Sequence, residues 1–146
     1  SIHKLFGDFV VPNVLNNITE IGLVRASIPQ YGALETFPYE KDDIVAVIPK
    51  GHLYPKKYPV EIEAFHGIPL AISFDISDTV YTVFGQHDGY NVAIITFINE
   101  TAIEWARTFN SIAIIPFSVA DTRHTMNMVI RPINDPGMYI SNVFLI

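Results

Sequence analysis

Five consecutive apolar residues, Ile44-Val45-Ala46-Val47-Ile48, are stopped by Pro49-Lys50-Gly51-His52; a second short run, Ile68-Pro69-Leu70-Ala71-Ile72-Ser73, follows. Runs this short and this rich in β-branched residues suit strands buried on both faces, and Pro and Gly close them. Between the two runs, Glu61 to His66 reads as a helical turn or two. Downstream, Val92 to Phe97 reads as a strand. Glu100 to Phe109 reads as a helix with Asn99 as N-cap and Ala102, Ile103 and Ala106 on one face. Ile112 to Ile115 is a further strand, ending at Pro116. Strands alternating with helices predict an α/β architecture with mainly parallel sheets.

The flanks are less regular. Ile2 to Phe6 is a short candidate strand, and Phe9, Val10, Val14 and Leu15 follow at helical spacing after Gly7-Asp8. Ile21 to Val24 reads as a buried strand and Ser27 to Ala33 as a loop carrying Pro29 and Gly32. Leu34 to Tyr39 looks extended, and Glu40-Lys41-Asp42-Asp43 reads as a solvated turn before the Ile44 run. Gly51 to Pro59 is a loop. Thr79 to Phe84 is β-branched, and propensity alone makes it a strand. Met126 to Ile130 and Met138 to Ile146 are the last two strands, separated by the turn Asn134-Asp135-Pro136-Gly137.

Composition narrows the function classes. The 146 residues are 49% apolar and 16% charged, which suits a folded domain or two small lobes. The net charge is −6, and the nine Lys and Arg residues are scattered. Phosphate binding needs them clustered, so this chain has no electrostatic basis for gripping nucleic acid. Cysteine is absent, which removes disulfides, thiolate metal sites and cysteine nucleophiles, and fits a reducing cytosol. No apolar run approaches the roughly 20 residues of a membrane-spanning helix, and no signal peptide is visible. With no initiator Met, the chain reads as a piece of a longer protein.

Site chemistry favours binding over turnover. The five histidines, His3, His52, His66, His87 and His124, form no metal-binding pair, so no metal is expected. There is no G-x-S-x-G elbow and no glycine-rich phosphate cradle. Ser73, Ser111 and Ser118 fall at expected strand ends, where an α/β sheet can hold a ligand without reacting with it. Glu61/Glu63 and Asp75/Asp78 could act as acid and base, but Asp ahead of a helix more simply complements its free N–H groups. Arg25 directly follows a strand. Its fork of donors suits a carboxylate ligand, and an ion pair with Asp75 is an equal alternative.

Four segments, in order, carry a resemblance. Leu15-Asn16-Asn17-Ile18-Thr19-Glu20-Ile21-Gly22-Leu23-Val24-Arg25 matches a helix end and a "(D/E)-I-G-(L/I)-V-R" strand. Ile44 to His52, continuing through Val60-Glu61-Ile62-Glu63-Ala64-Phe65 to Ser73, matches a crossover between lobes. Thr96 to Ala106 and Ser111-Ile112-Ala113-Ile114-Ile115-Pro116 match a strand-helix-strand pair. Together they resemble the effector-binding domain of LysR-type transcriptional regulators, over about Ile2 to Phe144. One departure stands out. The family's G-x-G-I-x-x-(L/V)-P is here Phe109-Asn110-Ser111-Ile112-Ala113-Ile114-Ile115-Pro116, so Asn110 must supply the left-handed turn.

The resemblance implies a two-lobed α/β fold like type 2 periplasmic binding proteins, with the first lobe incomplete. Residues 1–41 and 120–146 would form that lobe and 42–119 the second, and Thr79 to Phe84 becomes a helix. A small anionic metabolite would lie in the inter-lobe cleft against Val24, Arg25, Ser73, Phe74, Asp75, Ser77, Thr96, Phe97, Asn99, Pro116 and Phe117. The chain would be no enzyme and would need no cofactor. It would act in the cytoplasm as part of a homo-oligomer, meeting DNA only through a helix-turn-helix domain outside this chain, and no membrane. Three alternatives are a transporter's solute-binding protein, an enzyme using Ser73 or Ser118, and a fragment too incomplete to bind anything.

Overall fold

The structure is a computed structural model and describes residues 14–16, 22–26, 35–51, 58–85, 89–120 and 123–145. The expected strand at Ile2 to Phe6, the loops at Ser27 to Ala33 and most of Gly51 to Pro59 lie outside these residues. The chain divides into two compact units, Ser1–Asp42 with Ile140–Ile146, and Asp43–Tyr139.

In the first unit, strand β1 (Gly22–Ala26) runs antiparallel to β7 (Tyr139–Leu145), pairing Val24 with Val143 and Arg25 with Asn142. Beside β7 runs β2 (Thr36–Pro49). This strand corrects one expectation: Glu40-Lys41-Asp42-Asp43 is no turn but the middle of a continuous 14-residue strand. Charges usually mark turns because they seek water. Here Glu40, Lys41 and Asp43 reach water from an extended backbone, and only Asp42 is buried.

The second unit is built on a sheet in the order β6-β2-β5-β3-β4, with β3 at Pro69–Ser73, β4 at Asn91–Thr96, β5 at Ile112–Pro116 and β6 at Met128–Pro132. β3 runs parallel to both β4 and β5, whereas β2 is antiparallel to both β5 and β6. The sheet is therefore mixed rather than mainly parallel. Two helices connect its parallel strands, α1 (Ser77–Phe84) and α2 (Asn99–Thr108). Despite β-branched residues, α1 forms because Val80, Val83 and Phe84 recur on one buried side. Tertiary burial outweighs its local preference.

The core explains the patterning. β5 is buried at all five positions, as a central strand covered on both faces must be. Val45, Val47, Ala71, Ala113 and Ile115 share one cluster with Ala102, Ile103 and Ala106 of α2. Because side chains alternate along a strand, the intervening Ile44, Ile48, Leu70, Ile72, Ile112 and Ile114, also buried, belong to the opposite face. α2 ends as the sequence required: Asn110 adopts φ +48°, and the Ser111 N–H donates to the Ala106 carbonyl at 2.9 Å.

Candidate functional site

β3 leads through α1 to its neighbour β4, and β4 leads through α2 back past β3 to β5. Right-handed crossovers in opposite directions put the two helices on opposite faces of the sheet. β3 and β5 then flank the point where the connections diverge, and beyond the carboxyl ends of such strands open α/β sheets hold their ligands. Ser73 ends β3 in register with Thr96, the end of β4. Ile72 pairs with Ile114, which brings Pro116 at the end of β5 level with Phe74.

Each strand end passes into a helical start. Ser73 precedes the 3-10 turn Phe74–Ile76, which runs directly into α1. Ile98 precedes α2, and Pro116 precedes the 3-10 turn Phe117–Val119. None of these starts has a side-chain capping hydrogen bond. Ile and Pro carry no acceptor, and the Ser73 hydroxyl does not cap. First-turn N–H groups at this edge thus lack a capping side chain, where an anion is ordinarily stabilised. Asp75, Asp78 and Glu100 in the same first turns supply part of the complementary charge.

The polar groups divide in two. Ser77 Oγ donates to the Phe74 carbonyl at 2.7 Å, and Thr96 Oγ1 donates to the Ile98 carbonyl at 2.9 Å, so both fasten their own turns. The Ser73 hydroxyl and Asn99 Oδ1 are buried and make no hydrogen bond. Asn99 corrects a second expectation: it is the first residue of α2 rather than its cap, and Ile98 takes the cap position.

Apolar surface lies beside them. Phe74 and Phe97 pack with ring centroids 4.8 Å apart and planes tilted by 38°. They remain 41% and 63% exposed, and Phe117 is 59% exposed. Pro116 is buried and Asp75 exposed.

Nine of the expected site residues, Ser73, Phe74, Asp75, Ser77, Thr96, Phe97, Asn99, Pro116 and Phe117, thus gather at one edge of the second unit. Val24 and Arg25 belong to the first unit, within β1 rather than just after it. The three serines do not share one edge: Ser111 precedes β5 at the opposite end of the sheet, and Ser118 lies in the exposed turn after it. Sequence reading overlooked Ile76 and Ile98. The available signal was an Ile standing just ahead of a helix, where Ser, Thr, Asp or Asn is the usual cap. Among the described residues, no cluster of three or more His, Asp or Glu side chains could hold a metal, and no helix is long and apolar enough to cross a membrane.

No protein-family model and no curated protein matches the sequence. Solved structures do match. Full-length CbnR in complex with target DNA aligns with 99% of this chain at TM-score 0.82 and 15% identity, and the chain spans 50% of its length. The effector-binding domain of QuiR in complex with shikimate aligns with 99% of the chain at TM-score 0.82 and 13% identity, covering 69% of that domain. The CcmR regulatory domain of Synechocystis PCC6803 in complex with 2-PG aligns with 100% of the chain at TM-score 0.79 and 16% identity, covering 72% of it. With its strand-helix alternation and two units, the chain has the two-lobed, periplasmic-binding-protein-like fold of LysR effector-binding domains.

Proposed function

We propose that this chain is the ligand-sensing regulatory domain of a LysR-type transcriptional regulator, binding a small anionic metabolite without turnover. The observation that carries this reading is the edge where β3, β4 and β5 end: helical starts with no side-chain caps, beside Ser73 and Asn99 with buried polar atoms that make no hydrogen bond. An anion there accepts from first-turn N–H groups at little reorganisation cost. QuiR and CcmR, which share the fold, hold shikimate and 2-PG. The proposed effector-contacting residues are Ser73, Phe74, Asp75, Ser77, Thr96, Phe97, Asn99, Pro116 and Phe117, with Val24 and Arg25 from the first unit.

The effector acts by preferring one arrangement of the regulator over another, since a ligand with equal affinity for both shifts nothing. In the full-length protein it would re-set a cytoplasmic homo-oligomer that meets DNA through a separate helix-turn-helix domain. The net charge of −6 on the present chain accords with that division of labour.

Thermal-shift titration with small carboxylates, amino acids and sugar phosphates tests the reading. Ligand at a hundred times its dissociation constant adds about 2.7 kcal/mol of stability. An upward shift abolished by Arg25→Ala supports an anion site with Arg25 as contributor. No shift with any compound refutes the sensor assignment.

A further inference from the structure

The turn that follows β6 has no slack in it. From Asn134 to Tyr139 every backbone N–H is used, Pro136 having none to offer. Asn134 donates to the Val60 carbonyl at 2.8 Å and Asp135 to the Ile133 carbonyl at 2.9 Å. Gly137 donates to Asp135 Oδ1 at 2.7 Å, Met138 to the Asp135 carbonyl at 3.1 Å and Tyr139 to the Gly137 carbonyl at 2.9 Å. A segment bonded this closely moves as a body, because local opening would break several of these bonds at once. Its exit is tied as well. The Met138 carbonyl accepts from the Ile44 N–H of β2 at 3.0 Å, and β7 begins at the next residue. β2 and β7 are the strands by which the chain passes between its two units.

Gly137 stands in the middle of this turn, against α1. A Cβ built on it would lie 3.1 Å from Val83 Cγ2 and 3.1 Å from Asp135 Oδ1, closer than side chains ordinarily pack. Its φ is not positive, so left-handed geometry is not what calls for glycine here. An ordered turn also gains stability when alanine replaces glycine at a compatible position. What the missing side chain permits is the approach of Val83, which is buried near the end of α1. The other end of α1 lies where β3 ends: Ser77 opens the helix, and its hydroxyl donates to the Phe74 carbonyl at 2.7 Å. Eight residues of α-helix make a stiff rod of about 12 Å. We propose that α1 acts as a push rod. Displacement of its first turn is carried by Val83 onto Gly137, and through the rigid turn to the Ile44–Met138 hydrogen bond that joins the two connecting strands. This goes beyond the sensor reading, since it is a property of the second unit with or without a ligand.

Amide hydrogen exchange, read residue by residue by NMR on the whole chain, tests the proposal. The readout is the exchange rate at Ile44 relative to Ala46 of the same strand, so a global loss of stability, which raises both, cancels. Ser77→Ala releases the first turn of α1 and should raise that ratio at least fivefold. Gly137→Ala presses a methyl group against Val83 and should raise it too, which gives a second reading if one variant folds poorly by circular dichroism. Adding Val83→Ala removes the contacting atom and should abolish both effects. Independent local loosening would instead leave the effects additive. A ratio unmoved by Ser77→Ala, or raised as much in the Val83→Ala background, would overturn the push rod and leave the sensor reading standing. Failure of every ligand to bind would refute the sensor reading and leave this coupling intact.

Discussion

Replacing Ser73 by Ala should make this protein more stable. Ser73 occupies the N-cap position of the 3-10 turn Phe74–Ile76, with φ −80° and ψ 147°. A serine that caps costs about 1 kcal/mol when changed to Ala. This one makes no capping bond, is 1% exposed, and leaves its hydroxyl without a hydrogen-bond partner. Burying a hydroxyl unpaired costs about 1–3 kcal/mol on protein mutational scales, and Ala removes that cost while leaving almost no cavity. At about 4 °C per kcal/mol, the midpoint should rise by at least about 4 °C. Ser111→Ala is the matched control, since Ser111 is equally buried, equally unbonded and at the opposite end of the sheet. Both variants should gain stability in a calorimetric melt. Only Ser73→Ala should weaken ligand binding, by about tenfold or more if rotation about χ1 lets the hydroxyl bond a charged ligand group. A midpoint lowered by about 4 °C in Ser73→Ala would refute the reasoning, showing that the hydroxyl is satisfied in the free protein.

Ile103→Ala empties a fully buried position where α2 meets Val45, Ala113 and Ile115; it should cost about 2–5 kcal/mol, measured by urea denaturation. Gly89→Ala meets a different obstacle. Gly89 sits at φ +84°, and an added Cβ would lie 1.9 Å from His66 Nε2, so the ring must move or the chain shift. A loss of about 1–3 kcal/mol is expected, and an unchanged midpoint would show the ring to be free to swing away. Tyr90 contributes to stability at alkaline pH. Burial, then the Glu63 carboxylate, raises its hydroxyl pKa above 10, and the hydroxyl donates to the Ile62 carbonyl at 3.1 Å. Its contribution is full below pH 10 and falls as pH climbs towards the folded value, because the unfolded chain ionises first. Tyr90→Phe should flatten that part of the pH profile.

Much of the second unit was legible in the sequence because its signals are local. The apolar runs at Ile44, Leu70 and Ile112 are strands because nothing else of that length buries so much β-branched surface. Asn110 could be read as the left-handed residue after α2 because few other non-glycine residues tolerate φ +48°. What escaped is non-local. The antiparallel pairing of β6 with β2 joins Met128 to Pro49 and Pro132 to Val45, and no composition within either segment announces its direction. The Glu40 to Asp43 cluster misled because a charged run serves equally well as a turn or as a strand that water reaches. At the site, the serines, threonine and phenylalanines were visible as residues following strands. The missing caps at Ile76 and Ile98 could be seen only once the helix starts were fixed.

Strand β2 crosses the division between the two units at Asp42 and Asp43 without interruption. Its facing therefore obeys a parity rule. Inserting or deleting one residue between Glu40 and Asp43 turns every later side chain to the other face, exchanging Val45 and Val47 with Ala46 and Ile48, unless a bulge absorbs the change. Two residues restore the facing and shift only the length. In natural variants of this domain, length changes in this stretch should come in even numbers, and a single-residue change should travel with a compensating one elsewhere in the strand.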